Sequence, residues 1–187
     1  MNPMTFLTQP LLPAVKSMKQ LEFLLSRPVE YIILLDSHVA QIKNIVELAR
    51  QHGKQVFLHA DLIQGLKNDE YAAEFLCQEI RPEGLISTRA DVIRVAKQKG
   101  LVAIQRIFLL DTIALDKSYA LLQKTKPDYI EVLPGIMPRI ISEVSEKTGI
   151  KLIAGGLIRT VEDVENATNA GAVAVTTSNE ELIRHYI

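Results

Sequence analysis

The chain has 187 residues, 48% of them hydrophobic and 23% charged, with no Trp and a formal net charge of −1. That length and composition suit one α/β domain with its own core and exclude a disordered chain or a string of small modules. A charge this close to zero offers no overall positive field to nucleic acid or an anionic membrane, so any such contact needs a local patch.

The single cysteine, Cys77, cannot close an intramolecular disulfide, which fits a reducing, cytoplasmic setting and a buried small side chain. The first ten residues lack a charged segment followed by an apolar one, and no apolar run approaches a membrane span of about 20 residues. Neither a signal peptide nor a membrane partner is expected. The four histidines are scattered without zinc-site spacing, so neither metal nor cofactor is expected.

Eight strand-sized runs of β-branched and aliphatic residues recur, at 11–15, 31–36, 55–61, 84–89, 102–108, 129–135, 151–156 and 172–178. After the first, Ser17 and Gln20 stand at capping-box spacing. After the second, Val39, Ile42, Ile45, Val46 and Ala49 fall on one helical face that Gly53 closes. Further along, Thr88 with Asp91, Thr160 with Asp163 and Ser178 with Glu181 repeat the capping spacing, and Gly100, Gly149 and Gly171 end helices. Strands that alternate with helices pair in parallel, because each crossover returns the chain to the same end of the sheet. Eight such units predict a (β/α)8 TIM-type barrel, one domain over 1–187 with short loops; the alternative, a doubly wound open sheet, would leave edge strands to cover.

In such a barrel the functional face is the C-terminal end of the strands. Polar residues arrive there inside apolar runs: Asp36 and His38, His59 and Asp61, Ser87 and Arg89, Gln105 or Arg106, and Glu131. Period-two alternation puts His59 and Asp61 on one face with Phe57, where burial costs several kcal/mol unless each finds a partner or a ligand. His59 also reads as a hydrogen-bonded core residue and Asp61 as a cap. Glu131, between Ile130 and Val132, has no helix to cap, which favours a ligand-facing role.

The sharpest pattern lies in the last two units. Ala154-Gly155-Gly156-Leu157-Ile158-Arg159-Thr160 runs from a strand end through paired glycines into a capped helix, and glycines let the backbone approach a bulky anion. Gly171-Ala172-Val173-Ala174-Val175-Thr176-Thr177-Ser178 then carries hydroxyls to another helix start. Gly155, Gly156, Thr177 and Ser178 therefore form a candidate phosphate site, in the place where many barrels build one. Arg159 either adds charge to it or is a solvated helix residue. Three or four charge-assisted bonds would supply the about 8 kcal/mol of micromolar binding.

No strand run ends in lysine, which disfavours a Schiff-base aldolase; proton transfer by Asp61 or Glu131 stays open. The segment 61–71 is the longest connection, with Gly65 as a hinge and Lys67 as a reach toward an anion, or else a plain surface loop. Arg94, Lys97 and Lys99, with Lys117, Lys124 and Lys126, form either a basic strip across neighbouring helices or a solvated face.

Over almost its whole length the chain resembles the glycerol-3-phosphate-responsive antiterminators of glycerol uptake operons in Gram-positive and related bacteria. The residues that carry the resemblance are Leu12-Pro13-Ala14, His59-Ala60-Asp61-Leu62-Ile63 with Gly65-Leu66-Lys67-Asn68-Asp69-Glu70-Tyr71, Gln78-Glu79-Ile80-Arg81-Pro82, Ser87-Thr88-Arg89, Gln105-Arg106 with Leu109-Leu110-Asp111, Glu131-Val132-Leu133-Pro134-Gly135, and both phosphate-loop segments. The resemblance implies a regulator, not an enzyme, that binds glycerol 3-phosphate and acts on the leader of its target messenger RNA. On that reading the phosphate docks on Gly155, Gly156, Thr177 and Ser178, while Asp61, Gln105 and Glu131 read the hydroxyls, with His59 and Asp36 beside them. A homo-oligomer is compatible with it. The competing reading is a barrel isomerase or lyase acting on a small sugar phosphate or triose phosphate, because fold alone does not separate the two.

Overall fold

The computed structural model describes residues 9–187. Its barrel strands are β1 Leu11–Val15, β2 Tyr31–Leu34, β4 Gln55–His59, β6 Gly84–Ser87, β7 Val102–Phe108, β8 Tyr129–Leu133, β9 Lys151–Gly155 and β10 Ala172–Thr177. They close in chain order, each parallel to its neighbours, with β10 completing the ring against β1. The helices are α1 Met18–Leu25, α2 Ile42–Gln51, α3 Glu70–Phe75, α4 Ala90–Gln98, α5 Thr112–Thr125, α6 Pro138–Thr148, α7 Val161–Asn169 and α8 Glu180–Tyr186. At the mouth two extra strands of two residues each, β3 Ser37–His38 and β5 Ile63–Gln64, pair with one another. The barrel expected from the alternating pattern is therefore the one observed.

Several strands stop sooner than their apolar runs. β2 ends at Leu34 rather than Asp36, and β4 ends at His59, after which Ala60–Leu62 form a turn of 3₁₀ helix. The cause is the same in both: the polar residues that end each run have left the ladder to serve the mouth.

Side chains alternate across each strand, and the two faces make separate cores. Leu12, Ile33, Phe57, Ile86, Ile104, Tyr129, Ile153 and Ala174 fill the barrel axis, and Tyr31 stacks on Phe57 with ring centroids 6.0 Å apart. The opposite parity, such as Ala103 and Ile107 on β7 or Ile130 and Val132 on β8, packs outward against the helices. Each fully buried aliphatic or aromatic side chain contributes about 1.5–3 kcal/mol, so both layers are needed in a chain this short. The parity also decides which polar residues can reach the mouth, because only the inward set lines it.

Capping is mixed. Thr160 and Asp163 make the reciprocal box at α7, and Ser17 accepts from Gln20 N at 3.3 Å while Gln20 Oε1 accepts from Lys16 N at 2.8 Å. Two other expectations fail. Arg89, not Thr88, precedes α4 without a side-chain cap, because Thr88 is engaged elsewhere; and the cap of α8 is Asn179, which accepts from Leu182 N at 2.9 Å, so Ser178 is released from that task. Cys77 is buried, in a π-helical turn that follows α3, and burial raises its thiol pKa to about 11.

Candidate functional site

The loops after β9 and β10 lie side by side at the mouth and share the wall of one cavity of about 520 Å³. Gly156, Ile158 and Arg159 come from the first loop, Thr176 and Thr177 from the end of β10 with Ser178 just beyond it, Lys16 from just after β1, and Arg106 from β7. Among the described residues, the wall carries three cationic side chains, Lys16, Arg106 and Arg159, and no carboxylate.

Local sequence explains why the loops meet. Thr177 Oγ1 donates to Ile158 O at 2.8 Å and accepts from Asn179 N at 3.1 Å, so the hydroxyl is a clasp between the loops. Gly156 (φ +76) and Leu157 (φ +63) both take left-handed backbone, a strained choice for leucine that persists only where the surroundings impose it. Gly155 pairs with Thr176 across the ladder, and a Cβ there would collide with Thr176 Oγ1 and lie 2.9 Å from Glu131 Oε1. The first glycine makes room for the floor; the second makes the turn.

That floor is a buried ion pair. Glu131, 1% exposed, accepts from Arg106 Nε at 2.7 Å and from Thr176 Oγ1 at 3.0 Å. Its carboxylate orients the arginine under the cavity rather than facing solvent itself. His59, 2% exposed on the same inward face, has neither ring nitrogen hydrogen-bonded within the protein. Burial, reinforced by the Arg106 charge, lowers its pKa to about 4, so it is a neutral imidazole near pH 7.

Asp61, Gln105 and Asp36 hydrogen-bond to other parts of the protein. Asp61 accepts from Ser87 Oγ, from Thr88 N at 2.7 Å and from Thr88 Oγ1 at 2.7 Å, tying the turn after β4 to the loop after β6. Gln105 has outward parity on β7, and its amide donates to Ser87 O and Thr88 O, both at 3.1 Å, so it braces that same loop from behind instead of facing the cavity. Asp36 is exposed and accepts from Gln64 Nε2 at 3.3 Å, beside the β3–β5 pair. The 61–71 segment is tethered by that pair and by Val39 N donating to Gln64 O at 2.9 Å. Lys67 is exposed.

Two residues of the helix-borne basic strip, Arg94 and Lys97, are matched by acids. Arg94 pairs with Glu70 at 2.8 Å and Asp91 at 3.4 Å, and Lys97 pairs with Asp128 at 3.5 Å and donates to Lys126 O.

Three residues of the mouth were missed or left open by the sequence. No barrel strand ends in lysine, but Lys16 follows β1 directly and reaches the cavity from there. The choice between Gln105 and Arg106 is settled by parity, which places the arginine with Ile104 on the inner face. Asn179 carried a cap signal as strong as that of Ser178 beside it.

Comparison with known proteins gives a consistent answer. Residues 11–183 match the family model described as glycerol-3-phosphate responsive antiterminator. The crystal structure of a glycerol uptake operon antiterminator regulatory protein from Listeria monocytogenes is 49% identical, with a TM-score of 0.92 over 94% of this chain and 95% of that one. A glycerol uptake operon antiterminator-related protein from Thermotoga maritima is 26% identical, with a TM-score of 0.82 over 93% and 97% of the two chains. The uncharacterized protein YgcP of Escherichia coli K12 is 37% identical over 170 residues, 91% of this chain and 89% of that protein.

Proposed function

We propose, because this chain belongs to the glycerol-3-phosphate responsive antiterminator family, that it senses glycerol 3-phosphate in the cavity between the β9 and β10 loops and in that state acts on the leader of a target messenger RNA. The observation that carries the ligand assignment is the wall of that cavity: three cations, the Ser178 hydroxyl and, among the described residues, no carboxylate. A phosphate dianion there would gain charge-assisted bonds, each contributing about 1.5–3 kcal/mol. Gly156, Leu157 and Ile158 supply the close backbone, since the amides of Arg159 and Thr160 already donate to Asp163 at 2.9 Å. Thr177 keeps the loops clasped, and Gly155 leaves space for the Glu131–Thr176 floor. The glycerol hydroxyls would then face Arg106 and His59, with Glu131 holding the arginine in place.

Acid–base catalysis on a sugar phosphate is less well supported. Both candidate bases, Asp61 and Glu131, are hydrogen-bonded to protein groups on more than one side.

Thermal unfolding with sn-glycerol 3-phosphate, glycerol and inorganic phosphate tests the site. Stabilisation by the ester, less by phosphate and none by glycerol, is expected; an equal response to glycerol would overturn the assignment, and turnover of a phosphorylated triose would favour the enzyme. For the regulatory half, leader-RNA binding should strengthen with the ligand and weaken with salt. Binding indifferent to both would defeat it.

A further inference from the structure

We infer that a second copy of this chain docks on an apolar ridge beside the ligand cavity, and that ligand binding and this self-association are coupled. The ridge is built by the end of β7, the start of α5 and the loops after the adjacent strands β7, β8 and β9. Phe108 (43% exposed), Leu110 (78%), Ile113 (66%), Ile136 (42%) and Leu157 (52%) stand on it, five large apolar side chains that the fold leaves uncovered. The loops are laced into one surface: Leu109 N donates to Leu133 O at 2.7 Å, and Gly135 N donates to Gly156 O at 3.1 Å.

The ridge exposes apolar surface on the order of 500 Å², the upper end of what a monomeric protein shows in one place. A standard interface takes about 800 Å² from each partner, so the ridge has the size of a dimer's apolar centre, with the polar rim to be added. None of its five side chains is basic and only Phe108 is aromatic, which suits neither phosphate contacts nor base stacking. The charges on its flanks are self-complementary. Over the N-cap and first turn of each flanking helix, Asp111 makes the α5 side negative and Arg139 makes the α6 side positive; both are exposed. A two-fold axis through the ridge brings the α5 side of one copy to the α6 side of the other, as an isologous contact requires.

Coupling follows from Leu157, which belongs to both surfaces: it stands on the ridge and lines the cavity with its left-handed backbone. A ligand that fixes the 156–158 turn also fixes one side of the ridge, and by reciprocity dimerisation strengthens ligand binding. This coupling rests on the cavity reading above; the docking itself does not.

Sedimentation velocity on the full chain over a concentration series, with and without sn-glycerol 3-phosphate, tests the inference, with thermal shift run in parallel. The expected result is a concentration-dependent dimer that the ligand tightens. The double variant Leu110→Glu, Ile113→Glu alters two exposed side chains outside the cavity, and Glu at the start of α5 suits the helix dipole. It should raise the dimer dissociation constant at least about tenfold while keeping a thermal shift with the ligand. A wild-type chain that shows the thermal shift yet stays monomeric throughout overturns the docking and leaves the site standing. A chain that dimerises without any thermal shift keeps the docking and removes the site. A double variant that dimerises like the wild type overturns the placement on this ridge.

Discussion

Beyond β9 and β10 the chain turns Gly156, Arg159 and Ser178 onto a cavity whose wall, among the described residues, has no carboxylate, whereas beyond β4 and β6 Asp61 is held by Ser87 and Thr88. Both halves of the mouth are polar, and both looked like site material before their hydrogen bonds were known. The difference teaches that a polar residue inside an apolar strand signals a cost to be met, not who meets it. On one side the protein meets it internally. On the other, part of the capacity stays open, and the barrel floor mediates between them through Glu131, Arg106 and Thr176.

The largest effect expected is on that floor. Arg106→Leu strands the Glu131 carboxylate at 1% exposure, which should cost about 3–5 kcal/mol in chemical denaturation. Adding Glu131→Leu should recover most of the stability but none of the glycerol 3-phosphate response. If the single variant is as stable as the wild type, the two halves of the mouth are not separated by this pair. Next is pH. His59 has a folded-state pKa of about 4, against an ordinary value of 6.5, so the unfolded chain binds more protons between those values. Its neutral form contributes stability that is fully present above about pH 6.5 and is lost as pH falls toward 4, up to about 3 kcal/mol. His59→Leu should flatten that part of the stability profile, and an unchanged slope would show that the imidazole is not the titrating group.

Two substitutions sharpen the contrast between the halves. Asp61→Asn weakens charge-assisted bonds from Ser87 and Thr88 and should cost about 1.5–3 kcal/mol of stability while leaving the ligand-induced shift intact. Gly155→Ala pushes a Cβ against Thr176 and Glu131, costing about 1–3 kcal/mol, and should diminish the ligand shift as well. Loss of ligand response in the first, or its survival in the second, would reverse the assignment of roles.

The barrel was legible because its signal is repeated: eight apolar runs with helical periods between them, and the β7 run 102–108 recovered to the residue. The meeting of the β9 and β10 loops was legible too, since strands consecutive in the chain lie side by side in a barrel of this kind. What sequence could not resolve was direction. Gln105 and Arg106 are adjacent and both polar, and only the parity of β7, fixed by Ile104 inside and Ile107 outside, decides which one reaches the axis. Asp61 misled for a related reason: the run past His59 looks like more strand, but the chain there coils into a 3₁₀ turn, so alternation no longer governs where the carboxylate points. Its partners, Ser87 and Thr88, lie 26 and 27 residues away and carry no local mark of the contact.

The smallest expected effect on stability discriminates most finely, because it falls on two neighbouring residues with the same apparent role. Ser178 and Asn179 both have side chains suited to cap α8, and the helix uses the second: Asn179 accepts from Leu182 N at 2.9 Å. Asn179→Ala should therefore cost about 0.5–2 kcal/mol by losing a cap. Ser178→Ala, which removes a hydroxyl from the cavity wall and no cap, should change stability by less than about 0.5 kcal/mol. Its effect should appear instead in ligand affinity, as a roughly tenfold to hundredfold loss corresponding to one charge-assisted hydrogen bond of about 1.5–3 kcal/mol. Paired denaturation and ligand titrations on the two variants separate cap from contact. If Ser178→Ala destabilises the chain and spares affinity, the serine is the working cap and the cavity has one hydroxyl fewer to offer a phosphate.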